Sequence, residues 1–118
     1  MIRPIQDTTT DTLRSALRGL ELRQQAIAHN VANVETPGFR AQQVSFEDTL
    51  RSALRSGEDT SSVTPAVSSS AAPTRLNGNN VSLDSEILLQ DETKLRVQLV
   101  VQAMNAKYAL MRTAITGN

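Results

Sequence analysis

Counting forward from Leu13, large apolar side chains recur at Leu17, Leu20, Ile27, Val31 and Val34, in alternating steps of four and three that only Gln24 interrupts. That spacing keeps one face of an α-helix apolar and has the form of a coiled-coil seam. Leu22 and Ala26 widen the face, while Arg14, Arg18, Glu21, Arg23 and Gln25 fall mostly outside it. A helix over 11–34 is predicted, with Thr10 or Asp11 as its N-cap, because a side-chain oxygen there accepts from a free amide of the first turn. Residues 1–10 are left as an N-terminal extension. Gly19 lies inside the helix at a cost of about 1 kcal/mol relative to alanine, and reads either as a close helix crossing or as an incidental exposed glycine.

The same alternation returns near the other end of the chain, at Leu83, Ile87, Gln90, Lys94, Val97, Val101, Met104, Tyr108, Met111 and Ile115. A second stripe runs beside it through Leu88, Leu95, Leu99, Ala103, Ala106 and Leu110. A helix from Leu83 to Ile115 would be ~50 Å long. Ser82 is the expected N-cap, with Asp84 and Glu86 where the helix dipole favours negative charge. The two polar seam residues, Gln24 and Lys94, read either as water-facing gaps or as groups that fix register between helices.

Between the helices the pattern changes twice. Pro37 lacks an amide hydrogen and biases Thr36 away from helical geometry, so the first helix must end. Thr36-Pro37-Gly38-Phe39 fits a type II turn, with glycine supplying the positive φ. Asn30 and Asn33 lie one turn earlier, where short amides satisfy the loose groups of a helix end. Val44, Phe46, Leu50 and Leu54 predict a short helix from Ser45 to Ser56, with Ser45 and Asp48 in capping-box positions. Residues 57–76 are rich in serine, threonine, alanine and proline. They offer little apolar surface to offset ordering and read as a flexible linker. Asn77-Gly78-Asn79-Asn80 is turn chemistry ahead of the last helix, giving segments 1–10, 11–34, 35–56, 57–76 and 77–118.

The expected fold is all-α: two long terminal helices packed as a coiled-coil-like pair, joined through a turn, a short helix and a linker. The last helix outruns the first, and its second stripe has no partner within one chain. An apolar excess of that kind predicts burial between subunits.

Composition narrows the chemistry. Twelve basic and twelve acidic residues give zero net charge, leaving no electrostatic footprint for nucleic acid or an anionic membrane. Cysteine is absent, no apolar run reaches the roughly eighteen residues of a membrane span, and the first ten residues lack a signal-peptide core. His29, the one histidine, has no nucleophile or metal-ligand spacing near it and reads as a solvated helix residue. Ser68-Ser69-Ser70 lacks a nucleophile elbow. Asp84, Glu86, Asp91 and Glu92 match no EF-hand and read as a solvated first turn. No catalytic, cofactor, metal or small-molecule site is expected.

The order Asn30-Val-Ala-Asn33-Val-Glu-Thr36-Pro37-Gly38-Phe39-Arg-Ala41 resembles the N-terminal signature of the bacterial flagellar axial proteins, the rod and hook family. Asn77-Gly78-Asn79-Asn80-Val81-Ser82-Leu83-Asp84 points within that family to the short proximal rod proteins, as does the absence of a large central domain. The resemblance implies a structural subunit of the basal body that polymerises helically with its own copies and other rod proteins. Its neighbours would include the rod-base adaptor and the MS-ring side. It would be made in the cytoplasm, exported through the flagellar type III apparatus without signal cleavage, and placed in the periplasm. Phe46-Glu-Asp-Thr-Leu50 matches the family's Phe-x-x-x-hydrophobic export-gate motif, while in the assembled state the same two side chains read rather as the docking face of the short helix, the two roles holding in succession. Packing and assembly would rest on Leu13, Leu17, Leu20, Ile27 and Val31 of the first helix. In the last helix they would rest on Leu83, Ile87, Val97, Val101, Met104, Tyr108, Met111 and Ile115. The competing reading is a soluble helical adaptor or export chaperone.

Overall fold

The computed structural model describes residues 5–117, with side chains described from residue 8. Helix α1 spans Ile5–Ala32, strand β1 Gln42–Ser45, helix α2 Glu47–Ser56, strand β2 Ala66–Ser69 and helix α3 Leu83–Thr116. The architecture is mainly α, but the small antiparallel sheet of β1 and β2 corrects the all-α expectation. Asn30 meets Glu86 while Leu20 packs near Val97 and Val100, so α1 and α3 run antiparallel along a body 64 Å long and 15 Å thin.

Helix α1 begins at Ile5, not near Asp11: Thr8, Thr9 and Thr10 continue it, and Thr12 Oγ1 bonds back to the Thr8 carbonyl at 2.7 Å. The first four residues of the proposed extension lie outside the described residues. The short helix also starts later than expected. Ser45 is in β1, and the residue preceding α2 is Phe46, which makes no side-chain cap bond. Val44 and Phe46 are buried while Gln43 and Ser45 are exposed, which is strand alternation. The helical period starts only at Phe46, continuing to the buried Leu50 and Ala53.

The segment read as a flexible linker is ordered. It forms a 3-10 turn, Thr60–Ser62, and then β2, with Gln42 opposite Ser69 and Ser45 opposite Ala66. Hydrogen bonds replace the missing apolar burial. Ser15 Oγ donates to the Thr60 carbonyl at 2.6 Å, Arg18 reaches the Ser61 carbonyl at 2.8 Å, and the Ser70 amide donates to Ala41 at 2.7 Å.

The compact core is Leu20, Ala26, Val44, Phe46 and Leu50, joined at its margin by Ala16, Leu22, Val63, Val97 and Val100. Gly19 has a definite purpose there. A Cβ on it would come within 2.6 Å of three Phe46 ring atoms, so glycine makes room for that ring rather than for a helix crossing.

Candidate functional site

Two features stand out as candidates for function: a polar joint that fastens the two sequence motifs together, and a long helix face that no described residue covers. Gly38 has φ +75°, and the Phe39 amide donates to the Thr36 carbonyl at 3.2 Å, closing the turn at the first motif. The Gly38 amide then donates to Asn77 of the second motif at 2.8 Å, and a Cβ on Gly78 would lie 3.2 Å from the Gly38 Cα. Phe39 is half-buried, edge-on to His29 with ring centroids 5.3 Å apart.

Asparagines hold this joint. Asn79 is fully buried: its amide donates to the carbonyls of Asn33 and Thr36 at 2.9 and 2.8 Å, and its carbonyl oxygen accepts from the Val81 amide at 2.8 Å. Asn80 accepts from the Ala41 amide at 2.7 Å and donates to Ser70 and Ala72 at 3.1 Å. Asn30, also fully buried, is not a fraying helix end. It accepts from the Gln42 amide at 2.8 Å and donates to the Gln42 carbonyl at 2.9 Å, so it occupies the outer edge of β1 as a third strand would. Asn33 behaves as a local cap, donating to the His29 carbonyl at 2.8 Å and accepting from the Thr36 hydroxyl at 3.1 Å. Arg75 ties the assembly off through the carbonyls of Val81 and Val34 at 2.7 and 2.6 Å.

A substitution test follows directly. Nothing lies within 4 Å of a Cβ built on Gly38, so any loss there comes from the backbone. Gly38→Val is expected to lose about 1–2 kcal/mol or more, and Gly38→Asn much less, because asparagine tolerates positive φ. Thermal melts of the two variants check that order.

Arg23, placed outside the apolar face by its sequence position, is buried at the centre of the molecule. It forms a two-pronged ion pair with Glu47 at 2.6 and 2.7 Å, donates to the Val44 carbonyl at 2.6 Å and stacks 5.0 Å over the Phe46 ring. Arg96 of α3 reaches the same carboxylate at 2.7 Å, so one acid links three helices. The detectable signal was a stripe of small and hydrogen-bonding residues, Ser15, Gly19, Arg23, Ala26 and Asn30, all buried, beside the apolar seam.

The acidic group at the start of α3 is not wholly solvated. Glu86 is buried, accepts from Asn30 at 3.2 Å through Oε1, and leaves Oε2 without a partner. Burial pushes its carboxyl above the ordinary 4.5, with the Asn30 bond pulling the other way. Glu47 is drawn down to about 2, chiefly by its hydrogen bonds from Arg23 and against its own desolvation. The signs are opposite. A raised carboxyl penalises the fold above its folded pKa and is relieved as pH falls toward 4.5; a lowered one supports the fold above 4.5 and loses that support as pH falls toward about 2. Glu86→Gln is therefore expected to raise the melting temperature at pH 7 and to remove the gain on mild acidification. Glu47→Gln is expected to flatten the decline below pH 4.5. Melting temperature against pH reads both.

The predicted assembly residues divide. Leu20 and Ile27 are buried; Leu13, Leu17, Val31, Val97 and Met104 are half-buried; Leu83, Ile87, Val101, Tyr108, Met111 and Ile115 are exposed. Gln24 and Lys94 both face solvent. The side of α3 turned toward α1 carries Glu86, Leu89, Thr93, Val97, Val100 and Met104, so it shares only Val97 and Met104 with the predicted seam. In all 34 residues of α3 only Glu86 and Thr93 are buried, whereas Leu88 is 70% and Ile115 82% exposed. Phe46 and Leu50 are buried as the docking face of α2. Among the described residues no cluster of metal-ligating side chains forms, and no helix is long and apolar enough to cross a membrane.

Residues 11–40, which include all of the first motif but Ala41, match the family described as flagella basal body rod protein. The flagellar basal body rod protein FlgB of Bacillus subtilis is 31% identical, across 92% of this chain and 94% of that protein. FlgB of Escherichia coli is 28% identical across 92% and 99%, and FlgB of Borreliella burgdorferi 32% identical across 71% and 79%. The similarity to the first of these relatives runs through both motifs and nearly the full length of both proteins. The chain therefore belongs to the FlgB family of flagellar basal body rod proteins, structural components rather than enzymes.

Proposed function

We propose that this rod subunit polymerises helically, with its own copies and with other axial proteins, into the proximal part of the torque-transmitting shaft. The observation that carries the reading is the uncovered apolar surface of α3. Each large apolar side chain there is worth roughly 1.5–3 kcal/mol when removed from water, and one molecule supplies no cover for it. In the assembled rod α1 and α3 run as a coiled-coil-like pair, and the seam residues that α1 leaves exposed turn to neighbours. The joint sets the angle at which the pair is presented. Because the rod must extend, its contacts are heterologous and non-closing. The rod-base adaptor and the MS-ring side lie at one end of the stack, and further rod proteins at the other.

The same reading places the mature protein in the periplasm, reached through the flagellar type III apparatus without signal cleavage. Phe46 and Leu50 serve twice. An unfolded chain shows them to the export gate, and the folded chain hides them against α1, so recognition ends once the subunit has folded. Asn30, Asn33, Thr36, Pro37, Gly38 and Phe39 form the joint that the first motif encodes.

Sedimentation and electron microscopy of the purified chain, alone and mixed with other rod subunits, test the assembly. Concentration-dependent polymers of one polarity are expected. A cooperatively melting monomer or dimer that joins no rod protein would favour instead a soluble adaptor or export chaperone.

A further inference from the structure

The uncovered surface of α3 is two flanks rather than one patch. At 3.6 residues per turn, Leu88, Leu95, Leu99 and Leu110 lie roughly a third of a turn to one side of the line that faces α1. Ile87, Val101, Tyr108 and Ile115 lie roughly a quarter of a turn to the other side. All eight are exposed. Within its run of apolar positions the leucine flank carries Glu92 and the other flank carries Lys94. Glu92 already holds Arg96 at 2.7 Å, whereas Lys94 has no ion-pair partner among the described residues.

We propose that α3 of one copy lays its leucine flank against the Ile87–Ile115 flank of a second copy, side by side and parallel, with Glu92 opposite Lys94 of that neighbour. The proposal rests on the rod-assembly reading and specifies the surfaces it uses. A two-fold contact would pair one flank with itself and leave the other bare. A heterologous contact covers both flanks of every subunit and passes from copy to copy, as an extending rod requires. Heights along the helix agree: Leu88 stands beside Ile87, Leu99 beside Val101, and Leu110 beside Tyr108, while the two opposite charges fall in the same gap. Lys94 thereby acquires a purpose its position in one chain does not give it. It selects the neighbour's correct flank and register, since a shifted or like-flank contact strands a charge among leucines.

Because the chain has no cysteine, single substitutions report the contact cleanly. Leu99→Cys and Val101→Cys are prepared separately in the full chain, then mixed, assembled and oxidised. Disulfide-linked heterodimers are expected on mixing, with neither variant giving homodimers alone. Homodimers of one variant would overturn the proposal in favour of a two-fold contact. Sedimentable polymers without the cross-link would overturn it and leave the rod reading standing, whereas a chain that stays monomeric at every concentration, alone and with rod partners, would overturn both. As a second measurement, Lys94→Glu is expected to raise the concentration needed for assembly at least tenfold. Adding Glu92→Lys in the same chain is expected to restore most of it. Failure of that rescue counts against the charge pairing.

Discussion

Gly19→Val is expected to cause the largest loss of stability of any single substitution in α1. A β-carbon at position 19 would meet Phe46 Cδ1, Cγ and Cε1 at 2.4, 2.5 and 2.6 Å, distances at which something must move. The ring is held on its other sides by the Arg23 guanidinium and by the cluster of Leu20 and Leu50. Overpacking of this kind costs about 1–3 kcal/mol per site, which outweighs the roughly 1 kcal/mol that a helix gains when glycine becomes alanine. Gly19→Ala is therefore expected to destabilise, contrary to helix propensity. Valine, which adds two more methyl groups in the same crowded space, is expected to lose more than alanine, a large share of the roughly 5–15 kcal/mol that an ordinary domain has. Urea denaturation measures the loss. The cause is isolated by combining Gly19→Ala with Phe46→Ala: once the ring is gone the new methyl has space, so the double variant should lose clearly less than the sum of the singles. Strict additivity would mean that the ring and the glycine do not meet.

The two long helices were legible because their apolar residues recur with helical period over many turns, and the turn at Pro37-Gly38 because proline and glycine restrict the backbone directly. What the apolar pattern missed was everything held by polar bonds. Arg23 and Glu86 read as solvent-facing by residue type. They are buried because partners far away in sequence, Glu47 and Asn30, compensate part of the desolvation. The segment 57–76 carries so little apolar surface that it reads as mobile, yet main-chain pairing with β1 and bonds from Ser15, Arg18 and Asn80 order it. Strand β1 was missed, and its last residue Ser45 assigned to the short helix, because Val44, Phe46 and Leu50 can be counted at either period, and only the burial of Val44 and Phe46 at a two-residue step separates them. Of the site, the motif residues were found but not their roles. Asn79 and Asn80 were visible as turn formers, and nothing in the sequence says that their amides reach back across some forty residues.

Distance in sequence also gives the joint its part in the proposed assembly. α1 and α3 touch mainly along small, polar and half-buried positions, so their mutual attraction alone does not fix where one helix lies along the other. The bonds between the two motifs do fix it, at the end where the helices are nearest in the chain. A subunit whose joint is loose still has every apolar side chain, but presents the flanks of α3 at no constant height.

Asn79→Ala is expected to open that joint. The substitution removes two donors and one acceptor at a site with no solvent exposure, leaving the amide of Val81 without a partner and the carbonyls of Asn33 and Thr36 with only the turn amides of Thr36 and Phe39. The orphaned amide costs about 1–3 kcal/mol and each lost bond to a carbonyl about 0.5–1.5 kcal/mol, which puts the total at about 2 kcal/mol or more. Asn79→Asp separates shape from hydrogen bonding. Aspartate keeps the acceptor for Val81 but turns a carboxylate toward two carbonyl oxygens, so it should be worse than alanine at pH 7 and recover as acid protonates it. Hydrogen exchange locates the damage. The amides of Gly38, Asn80 and Val81 should lose protection first, while those around Leu20 and Leu50 keep theirs. Uniform loss through the whole molecule would mean that the joint and the Phe46 cluster unfold as one unit, and unchanged exchange at Val81 would mean that Asn79 does not hold the motifs together.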